Sequence, residues 1–309
     1  MNIIEGEKDF QQPHNAVVTI GTFDGVHFGH QKILKRVTSL ADRHKGESVL
    51  VTFWPHPRFI LFPDDDKLKL LSTFEEKAQL MKSVGIDHLV KIPFTTEFSQ
   101  LSSEEFTQKV LVNKIGTRRL VIGYDHRFGK NREGGFDYLK ANETKFGFQV
   151  EEIPKQEIDD VSVSSTKIRA ALLTGDINNA TNYLGRNYSI TGKVVTGAKL
   201  GRELGYPTAN IQIQEKYKLI PADGAYAVRT IVDGHTFDGM LNIGLRPTVN
   251  GSMRTIEVHL FDFQKDIYGE DITVSFVEMI REEAKFSDLS GLRAQLSLDK
   301  QKAQAILSH

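Results

Sequence analysis

Short apolar runs alternate with helical patterns between residue 16 and about residue 184. The runs rich in valine, isoleucine and leucine read as strands, whereas the segments between them carry apolar residues at intervals of three and four, which is typical of helices. This alternation predicts an α/β fold with a parallel sheet covered on both faces. The predicted strands are Val17–Ile20, Ser48–Phe53, Asp87–Ile92, Arg118–Ile122 and Phe148–Ile153.

Two helices in this half carry clear start signals. The pattern predicts one helix over Phe74–Val84, after Ser72-Thr73, and a second over Ser102–Ile115. Hydroxyl residues followed by acidic residues are the types that cap a helix N-terminus and suit its first turn. A further helical pattern opens at residues 164–169 and runs to Leu173.

The second half of the chain has a different texture, with period-two alternation and turn signals. Its predicted strands follow one another without an intervening helix, and Asp233-Gly234 is a two-residue hairpin signal. We therefore expect an antiparallel β-barrel with a terminal helix over residues 289–307. The predicted domains are residues 1–184 and 185–309. The barrel strands are Asn187–Val195, Ala225–Val232, His235–Ile243, Arg254–Phe261 and Ile272–Val277.

Composition narrows the classes of partner. The 309 residues carry a formal net charge of −1, so the chain has no strong positive electrostatic potential to attract nucleic acid or an anionic membrane. The sequence has no cysteine, which excludes disulfides and thiolate chemistry. No apolar run is long enough to span a bilayer, and the N-terminus lacks a signal-peptide pattern. We expect a cytoplasmic protein with no nucleic-acid or membrane partner.

The first predicted strand leads into a glycine-punctuated loop and then a helix. At such a junction the first helical N–H groups lack partners and the macrodipole adds positive charge, so phosphate is the natural ligand. Gly25 and Gly29 allow a ligand close to the main chain, and His27 and His30 can aim at the same oxygens. The pattern favours a nucleotide-phosphate site. A metal site, with His56 as third ligand, or a plain surface pair are the alternatives.

Three loops are predicted to meet at one edge of the sheet. Ligands of parallel sheets bind beyond the carboxyl ends of the strands, which is where residues 21–30, 54–57 and 123–129 fall. The helix start at residues 164–169 has two readings. It is either an ordinary serine cap or a grip of hydroxyls, N–H groups and two cations for a polyphosphate tail.

A glycine-rich loop opens the second half. Gly197, Gly201 and Gly205 recur at every fourth residue and lead to Thr208 and Asn210. The hydroxyl and amide oxygens of the last two are ligands that Mg²⁺ on a polyphosphate accepts. A rigid connecting loop is the alternative reading, because the spacing does not match a Walker loop.

Glu257 lies in the middle of a predicted strand. Ile256, Val258 and Leu260 alternate onto one face, which leaves Glu257 and its neighbours on the other. A carboxylate at such a position belongs either to a solvated outer face or to a site. In a site it is the candidate general base for a hydroxyl that attacks phosphorus.

The motifs of both halves, in this order, resemble the bacterial bifunctional riboflavin kinase/FAD synthetase family over nearly the whole chain. One position departs from the family pattern, because an aromatic residue usually occupies the place of His126. The motifs that resemble FMN adenylyltransferase are residues 21–30 (GTFDGVHFGH), 52–57 (TFWPHP) and 164–169 (SSTKIR). Those that resemble riboflavin kinase are residues 197–210, 242–248 (NIGLRPT), 256–260 (IEVHL), 266–269 (DIYG) and 280–286 (IREEAKF).

The resemblance implies a Rossmann-like nucleotidylyltransferase domain and a riboflavin kinase barrel. Riboflavin and ATP give FMN in the barrel, and FMN and ATP give FAD and pyrophosphate on the α/β domain, with Mg²⁺ as the metal. The implied catalytic residues are Glu257, His27, His30 and Asn210. The implied ATP contacts are Gly21, Phe23, Asp24, Gly29, His30, Ser164, Ser165, Thr166, Arg169, Gly197, Gly201, Gly205, Thr208 and Asn210. Flavin contacts are expected from Pro55, His56, Pro57, Asp125, Arg127, Phe128 and Arg281, and metal contacts from Thr208 and Asn210.

Rival functions come from other classes. A class I aminoacyl-tRNA synthetase shares the H-x-G-H helix start, but the net charge and the barrel argue against a tRNA partner. A single-activity nucleotidylyltransferase fused to a non-catalytic flavin-binding barrel is the second rival. Residues 59–73 form either a lid or a surface loop, and the sequence predicts no oligomeric state.

Overall fold

The structure is a computed structural model that describes residues 1–5, 11–65, 67–155, 163–197, 200–248 and 251–308. It divides the chain into two compact units, Met1–Ser164 and Ser165–His309. The predicted domain boundary at residues 184/185 differs from this division, since the two helices that precede the barrel pack with the second unit. The extent of the functional domains stays a prediction.

The first unit is built on a six-stranded parallel sheet in the order β1-β4-β3-β2-β5-β6. The chain runs outward from β2 in one direction and from β5 in the other, so the strand order switches between these two central strands. This switch point is where open parallel sheets bind ligands. The strands are β1 (Asn2–Glu5), β2 (Val17–Ile20), β3 (Ser48–Trp54), β4 (His88–Pro93), β5 (Arg119–Gly123) and β6 (Gln149–Ile153).

Alternation along these strands supplies a core on each face of the sheet, as the predicted α/β fold requires. Val17 and Leu50 pack with the helix residues Leu34 and Met81 on one face. Their strand neighbours, such as Val18, pack on the other. The helices of this unit are α1 (Phe28–Arg43), α2 (Pro57–Leu61), α3 (Phe74–Val84), α4 (Thr96–Ser99), α5 (Ser103–Phe106), α6 (Phe136–Ala141) and α7 (Glu143–Phe146).

The predicted helix caps are present, with one difference in helix type. Thr73 and Ser102 each form a capping box with the glutamate three residues on, which satisfies two backbone donors at each helix start. The predicted helix over Ser102–Ile115 begins as α5 but continues as a π-helix over Thr107–Ile115. Apolar spacing does not distinguish these two helix types over so few turns.

The second unit begins with helices α8 (Ser165–Leu173) and α9 (Ile177–Leu184) and continues as a closed antiparallel barrel in the order β10-β11-β8-β7-β12-β9. The sequence predicted no helix between the strands. This was wrong at one point, because the short helix α10 (Leu200–Glu203) lies in the glycine-rich loop. The strands are β7 (Ser189–Val195), β8 (Ala209–Gln212), β9 (Gly224–Val232), β10 (His235–Thr248), β11 (Gly251–Leu260) and β12 (Asp271–Glu282).

The terminal helix α11 spans Leu289–Leu307, as predicted, and Asp288 caps its start by accepting the N–H of Gly291 at 2.7 Å. Its last turns bury Ala303 and Leu307 against barrel residues that include Met240. This packing fixes the helix on the barrel. Among the described residues, no helix combines the length and apolar character needed to cross a membrane.

Candidate functional sites in the two units

The loop between β2 and α1 closes the carboxyl end of β2 at the switch point of the first sheet. His27 is the N-cap of α1, and its Nδ1 accepts the N–H of His30 at 3.4 Å. Because Nδ1 accepts, a neutral His27 carries its proton on Nε2. The first-turn N–H groups of Phe28 and Gly29 have no acceptor within the helix. The helix start therefore retains the donors that the sequence predicts for an anion site.

The two predicted histidines lie side by side. Their rings stack with centroids 3.6 Å apart and planes 17° apart. Phe23 is buried and supports the His30 ring at a centroid distance of 4.8 Å. A Cβ at Gly21 would lie 2.8 Å from the Phe23 ring, so a side chain at residue 21 would displace this support. These contacts fix the direction of both imidazoles before any ligand binds.

Asp24 holds the loop in place from inside the protein. Its side chain is only 3% exposed, and its carboxylate accepts the N–H groups of Leu71 at 2.9 Å and Ser72 at 3.1 Å. The Ser72 hydroxyl in turn accepts the N–H of Gly25 at 3.1 Å. Asp24 thus ties the β2–α1 loop to the residues that precede α3, and a direct contact with ATP stays a prediction.

Lys77 of α3 is a buried cation behind this loop. Its Nζ lies 5.6 Å from the centroid of the Trp54 ring. Burial lowers the pKa of Lys77 to about 8, and the charge of Asp24 opposes this shift. No sequence pattern marked Lys77, because a lysine inside an amphipathic helix reads as a solvated position.

The other two predicted loops also leave the carboxyl edge of the sheet. After β3, His56 caps the short helix α2 through its Nδ1, which accepts the N–H of Arg58 at 3.2 Å. After β5, Phe128 is buried, whereas Asp125 and Arg127 are exposed. The flavin contacts predicted for these loops, Pro55 and Pro57 included, stay predictions.

A cluster of phenylalanines lines this edge and was not singled out from the sequence. Phe53 contacts Phe94, Phe98 and Phe106 at centroid distances of 5.8, 5.8 and 6.1 Å, and Phe106 contacts Phe128 at 5.3 Å. The five residues come from separate segments, so no local pattern groups them. Phe106 and Phe128 are buried, whereas Phe53, Phe94 and Phe98 are half-buried. This cluster of five rings is the aromatic wall, and its half-buried rings are the ones with a free surface for a planar ligand.

His126 extends this wall, with its ring 5.8 Å from that of Phe128. Its Nε2 is buried and has no hydrogen-bond partner among the described residues. Burial, with added repulsion from Arg132 and Arg127, lowers the pKa of His126 to about 4. The ring is therefore neutral at physiological pH.

The helix start at residues 164–169 falls at the division between the units, since Ser164 ends the first and Ser165 begins α8 in the second. Ile168 is buried within α8, whereas Thr166 and Lys167 are exposed. The grip of this segment, with Arg169, on a phosphate tail stays a prediction.

In the second unit, β11 presents its polar face to a cavity. Ile256, Val258 and Leu260 are buried in the barrel core, so the predicted alternation turns the intervening side chains to the other face. Glu257 is one of them, and it lines a cavity of about 280 Å³. The lining combines an apolar majority with a few polar groups, which is typical of a small-molecule site. The other lining residues are Gly201, Leu204, Tyr206, Thr208, Ala225, Met240, Leu241, Asn242, Gly244, Leu245, Thr255, His259, Arg281, Glu283, Ala284, Phe286, Leu292, Leu296 and Asp299.

Strand pairing brings the glycine-rich loop to this carboxylate. Asn210 of β8 lies opposite Glu257 of β11, and the Thr208 hydroxyl donates to Glu257 Oε2 at 3.4 Å. A Cβ at Gly197 would overlap the Asn210 amide, and Gly205 has a φ of 87°. The backbone conformation at residue 205 therefore favours glycine, and a side chain at residue 197 would displace the Asn210 amide.

His259, two residues after Glu257 on the same face of β11, holds the same loop in place. Its Nδ1 donates to the Pro207 carbonyl at 2.8 Å, and its ring packs 5.5 Å from that of Tyr206. Burial lowers the pKa of His259, which the bond to Pro207 opposes. Thr208 follows directly, so its position rests on this bond.

Thr208 also lines a second cavity of about 390 Å³. The sequence marked part of this region as the motif at residues 266–269 but did not connect it with the glycine-rich loop. The remaining residues that line it are Val194, Arg202, Pro207, Ala209, Val258, Leu260, Phe263, Gln264, Lys265, Asp266, Ile267 and Tyr268. Thr208 is common to the linings of both cavities, and its hydroxyl contacts the Glu257 carboxylate of the first.

Two charged residues at the end of β12, Arg281 within the strand and Glu283 just after it, complete the first cavity. Arg281 is held by an ion pair with Asp299. Burial raises the pKa of Glu283, whose hydrogen bond from Asn242 opposes the shift. The sequence predicted Arg281 as a flavin contact and included Glu283 in the motif at residues 280–286, but it did not mark Asp299. Among the described residues, no group of three or more His, Asp or Glu side chains is placed to hold a metal ion.

Comparison with known proteins gives the family. Family models match over residues 9–167 for FAD synthetase and residues 184–307 for riboflavin kinase. The bifunctional riboflavin kinase/FMN adenylyltransferase of Pseudomonas fluorescens is 38% identical to this chain, over 99% of this chain and 98% of its own length. That of Listeria monocytogenes is 38% identical, over 95% of this chain and 93% of its own length. A solved structure named a macrolide-efflux protein, from Streptococcus pneumoniae, aligns at 30% identity and a TM-score of 0.88 over 98% of both chains.

Fold and sites together define a transferase with one nucleotidyl-transfer unit and one kinase barrel. The matches go further, because each half has its own family model and the relatives align over nearly their full length. The chain belongs to the family of bifunctional riboflavin kinase/FMN adenylyltransferases. Its reactions are the phosphorylation of riboflavin to FMN and the adenylylation of FMN to FAD, with ATP as the second substrate of each.

Proposed function

We propose that riboflavin phosphorylation takes place beside Thr208 and Glu257, with one substrate in each barrel cavity. The observation that supports this assignment is Thr208, which lines both cavities and hydrogen-bonds Glu257 at 3.4 Å. Riboflavin occupies the cavity lined by Glu257 and Arg281, since its lining combines apolar side chains, which suit a ring system, with polar groups, which suit a ribityl chain. ATP occupies the cavity that contains Lys265, whose ammonium suits a polyphosphate.

Glu257 is the general base of this step. The attacking group is a neutral ribityl hydroxyl, which must lose its proton as it bonds to the γ-phosphorus while the bond to ADP breaks. A carboxylate within hydrogen-bond reach accepts that proton. The Thr208 hydroxyl orients the carboxylate, and Asn210 across the strand pair lies within the same reaction zone.

Mg²⁺ is part of the proposed kinase site. The residues fit the ion, because Thr208 and Asn210 offer hydroxyl and amide oxygens beside the Glu257 carboxylate, and hard oxygen donors are what Mg²⁺ prefers. Few protein ligands are expected, since a nucleotide-bound Mg²⁺ takes most of its ligands from phosphate and water. The ion supplies charge neutralisation for the transferred phosphoryl group.

FMN adenylylation is assigned to the start of α1 in the first unit. Its nucleophile is the FMN phosphate, which is already anionic and needs no strong base. The developing charge lies on departing pyrophosphate, so the step requires alignment and donors. The N-terminal amides of α1 and the stacked pair His27 and His30 supply both, and Ser164 is proposed to assist.

The flavin of this second reaction is proposed to lie against the half-buried rings of the aromatic wall, which are those of Phe53, Phe94 and Phe98. Offset stacking and edge contacts with an isoalloxazine ring suit such a surface. Asp125, Arg127 and the Pro55-His56-Pro57 turn leave the same edge of the sheet. A cytoplasmic location completes the proposal, since both reactions consume ATP and the chain has no cysteine.

The kinase assignment is tested by removing the Thr208 hydroxyl while the size and shape of the side chain are kept. Thr208→Val should lower riboflavin phosphorylation by about 100-fold, because it removes both the orienting bond and a metal ligand. FMN adenylylation should stay unchanged, as read by chromatography of the flavins with riboflavin or FMN as the starting substrate.

Thr230→Val is the matched control. Thr230 is fully buried in β9, and its hydroxyl has no hydrogen-bond partner among the described residues. Its replacement should leave both activities intact. Equal riboflavin phosphorylation by the two variants would remove Thr208 from the reaction zone. A non-catalytic flavin-binding barrel, the rival function, predicts that the wild-type chain converts FMN to FAD but never forms FMN from riboflavin.

A further inference from the structure

Arg281 is held in the barrel by a carboxylate from another element. Its Nε donates to Asp299 Oδ1 at 3.1 Å and to Oδ2 at 3.0 Å, and its Nη2 donates to Oδ2 at 2.8 Å. Gln295, one turn earlier on α11, donates to Asp299 Oδ1 at 2.8 Å. The Asp299 side chain is 2% exposed and that of Arg281 is 17% exposed. Water therefore does not screen this pair as it does a surface ion pair.

The pair lies at the wall of the cavity that contains Glu257. Leu292, Leu296 and Asp299 all line that cavity from α11, and their spacing of four and three residues puts them on one face of the helix. The other end of the helix is anchored by Ala303 and Leu307 in the barrel core. The helix is thus a fixed support for whatever its cavity-facing side chains hold.

Arg281 transmits this support to the segment that follows β12. Its Nη1 donates to the Glu282 carbonyl at 2.9 Å, and its guanidinium lies 5.7 Å from the Phe286 ring. Phe286 and Glu283 line the same cavity. Because at least three guanidinium N–H groups are used within the protein, Arg281 has one orientation and the segment after it is ordered around that orientation.

We infer that Asp299 is a positioning residue for riboflavin: by fixing Arg281 it preforms the wall of the flavin cavity that residues 281–286 contribute. The inference rests on the proposed assignment of this cavity to riboflavin. A preformed wall lowers the cost of ordering on binding, so its loss weakens flavin binding more than it slows the chemical step. The nucleotide side of the reaction depends on other residues.

The experiment replaces the carboxylate without changing its shape. Asp299→Asn should raise the KM for riboflavin by about tenfold and change kcat by less than about threefold. The KM for ATP and the conversion of FMN to FAD should stay at wild-type values. Gln295→Ala, which removes only a hydrogen bond to Asp299, should raise the KM for riboflavin in the same direction by about two- to threefold. This milder variant keeps the test valid if Asp299→Asn fails to fold.

Asp288→Asn is the matched control, because it makes the same chemical change on the same helix and asparagine caps a helix as well as aspartate. It should leave the KM for riboflavin unchanged. Equal effects of Asp288→Asn and Asp299→Asn, or a loss of kcat at constant KM, would overturn the inference.

A double variant separates this inference from the function on which it rests. In an Arg281→Lys background, Asp299→Asn should add less than about twofold to the KM for riboflavin, because the fork that Asp299 holds is already gone. Additive effects would overturn the positioning role alone. An Arg281→Lys variant with a wild-type KM for riboflavin would instead contradict the assignment of the cavity to riboflavin.

Discussion

The two proposed sites for transfer from ATP, the helix start in the first unit and the surroundings of Thr208 and Glu257 in the second, differ in their side chains. The first offers backbone N–H groups and two stacked imidazoles, whereas the second offers a carboxylate beside a hydroxyl. We attribute this difference in side chains to the different nucleophiles of the two reactions. A phosphate arrives with its charge, and a hydroxyl must lose a proton. The proposed kinase site therefore provides a group that removes a proton, and the proposed adenylylation site provides groups that stabilise negative charge.

Glu257→Gln is the strongest way to break this comparison. It keeps the shape but removes the base, so riboflavin phosphorylation should fall by about 10³-fold while FMN adenylylation stays unchanged. Glu278→Gln on β12 is the control and should leave both activities intact. The two reactions are measured separately by starting from riboflavin or from FMN. Phosphorylation within tenfold of wild type would show that this site needs no carboxylate base.

His30→Ala tests the other side with a smaller expected effect. Loss of one donor to the departing pyrophosphate should slow FMN adenylylation by about 10²-fold. FMN should then accumulate from riboflavin at the wild-type rate. His44→Ala, at the opposite end of α1, is the control. A variant that instead lost phosphorylation would reverse the assignment of the two sites.

Asp24→Ala tests how strongly the first site depends on the anchoring of the β2–α1 loop by the Asp24 carboxylate. The N–H groups of Leu71 and Ser72 lose their acceptor, so the free energy of unfolding should fall by about 1–3 kcal/mol. FMN adenylylation should fall by about tenfold, because the β2–α1 loop loses its hydrogen bonds to residues 71–72. Asp24→Asn keeps an acceptor oxygen and should lose less of both. Thermal unfolding and the FMN assay give the two readouts, and unchanged stability would contradict the role.

His126→Phe has the smallest expected effect and sharpens the comparison at acid pH. The native pKa of His126 is about 4, below the usual value of about 6.5 in an unfolded chain. The unfolded state binds the proton more readily than the native state does. The free energy of unfolding is therefore at its full value above about pH 6.5 and falls as the pH is lowered towards about 4. The phenylalanine variant should resist denaturant better than wild type near pH 4.5, by about 1–2 kcal/mol, and equally at pH 7.5. An identical pH dependence of the two proteins would exclude His126 as the titrating group.

The sequence predicted what depends on local periodicity. The ends of α3 and α11 agree with prediction, and the predicted strands agree to within a few residues, because their apolar spacing and caps lie within single segments; β10 and β12 continue further than predicted. The sequence missed β1, a short strand at the sheet edge that pairs only with β4, and β8, since Ala209–Gln212 sits in a polar glycine- and proline-containing stretch and becomes a strand only by pairing with β7 and β11. Tertiary pairing decides such short strands.

The candidate sites divide in the same way. Glu257, Thr208 and the histidine pair could be predicted as candidates because each belongs to a compact motif. The phenylalanine wall and the Arg281–Asp299 pair were not predicted as groups, although Phe128 and Arg281 were predicted singly as flavin contacts. Their members are far apart in the chain and are brought together only by folding, so no window of sequence contains the signal. The role of Asp24 was also out of reach, because its partners are the backbone groups of residues nearly fifty positions away.

Thr208, which belongs to both barrel cavities, has a consequence for the order of events. On the proposed assignment, riboflavin and ATP enter separate cavities whose linings share Thr208, so neither ligand blocks the path of the other. Initial-rate plots against one substrate at several fixed levels of the other should therefore intersect, and ADP should compete with ATP but not with riboflavin.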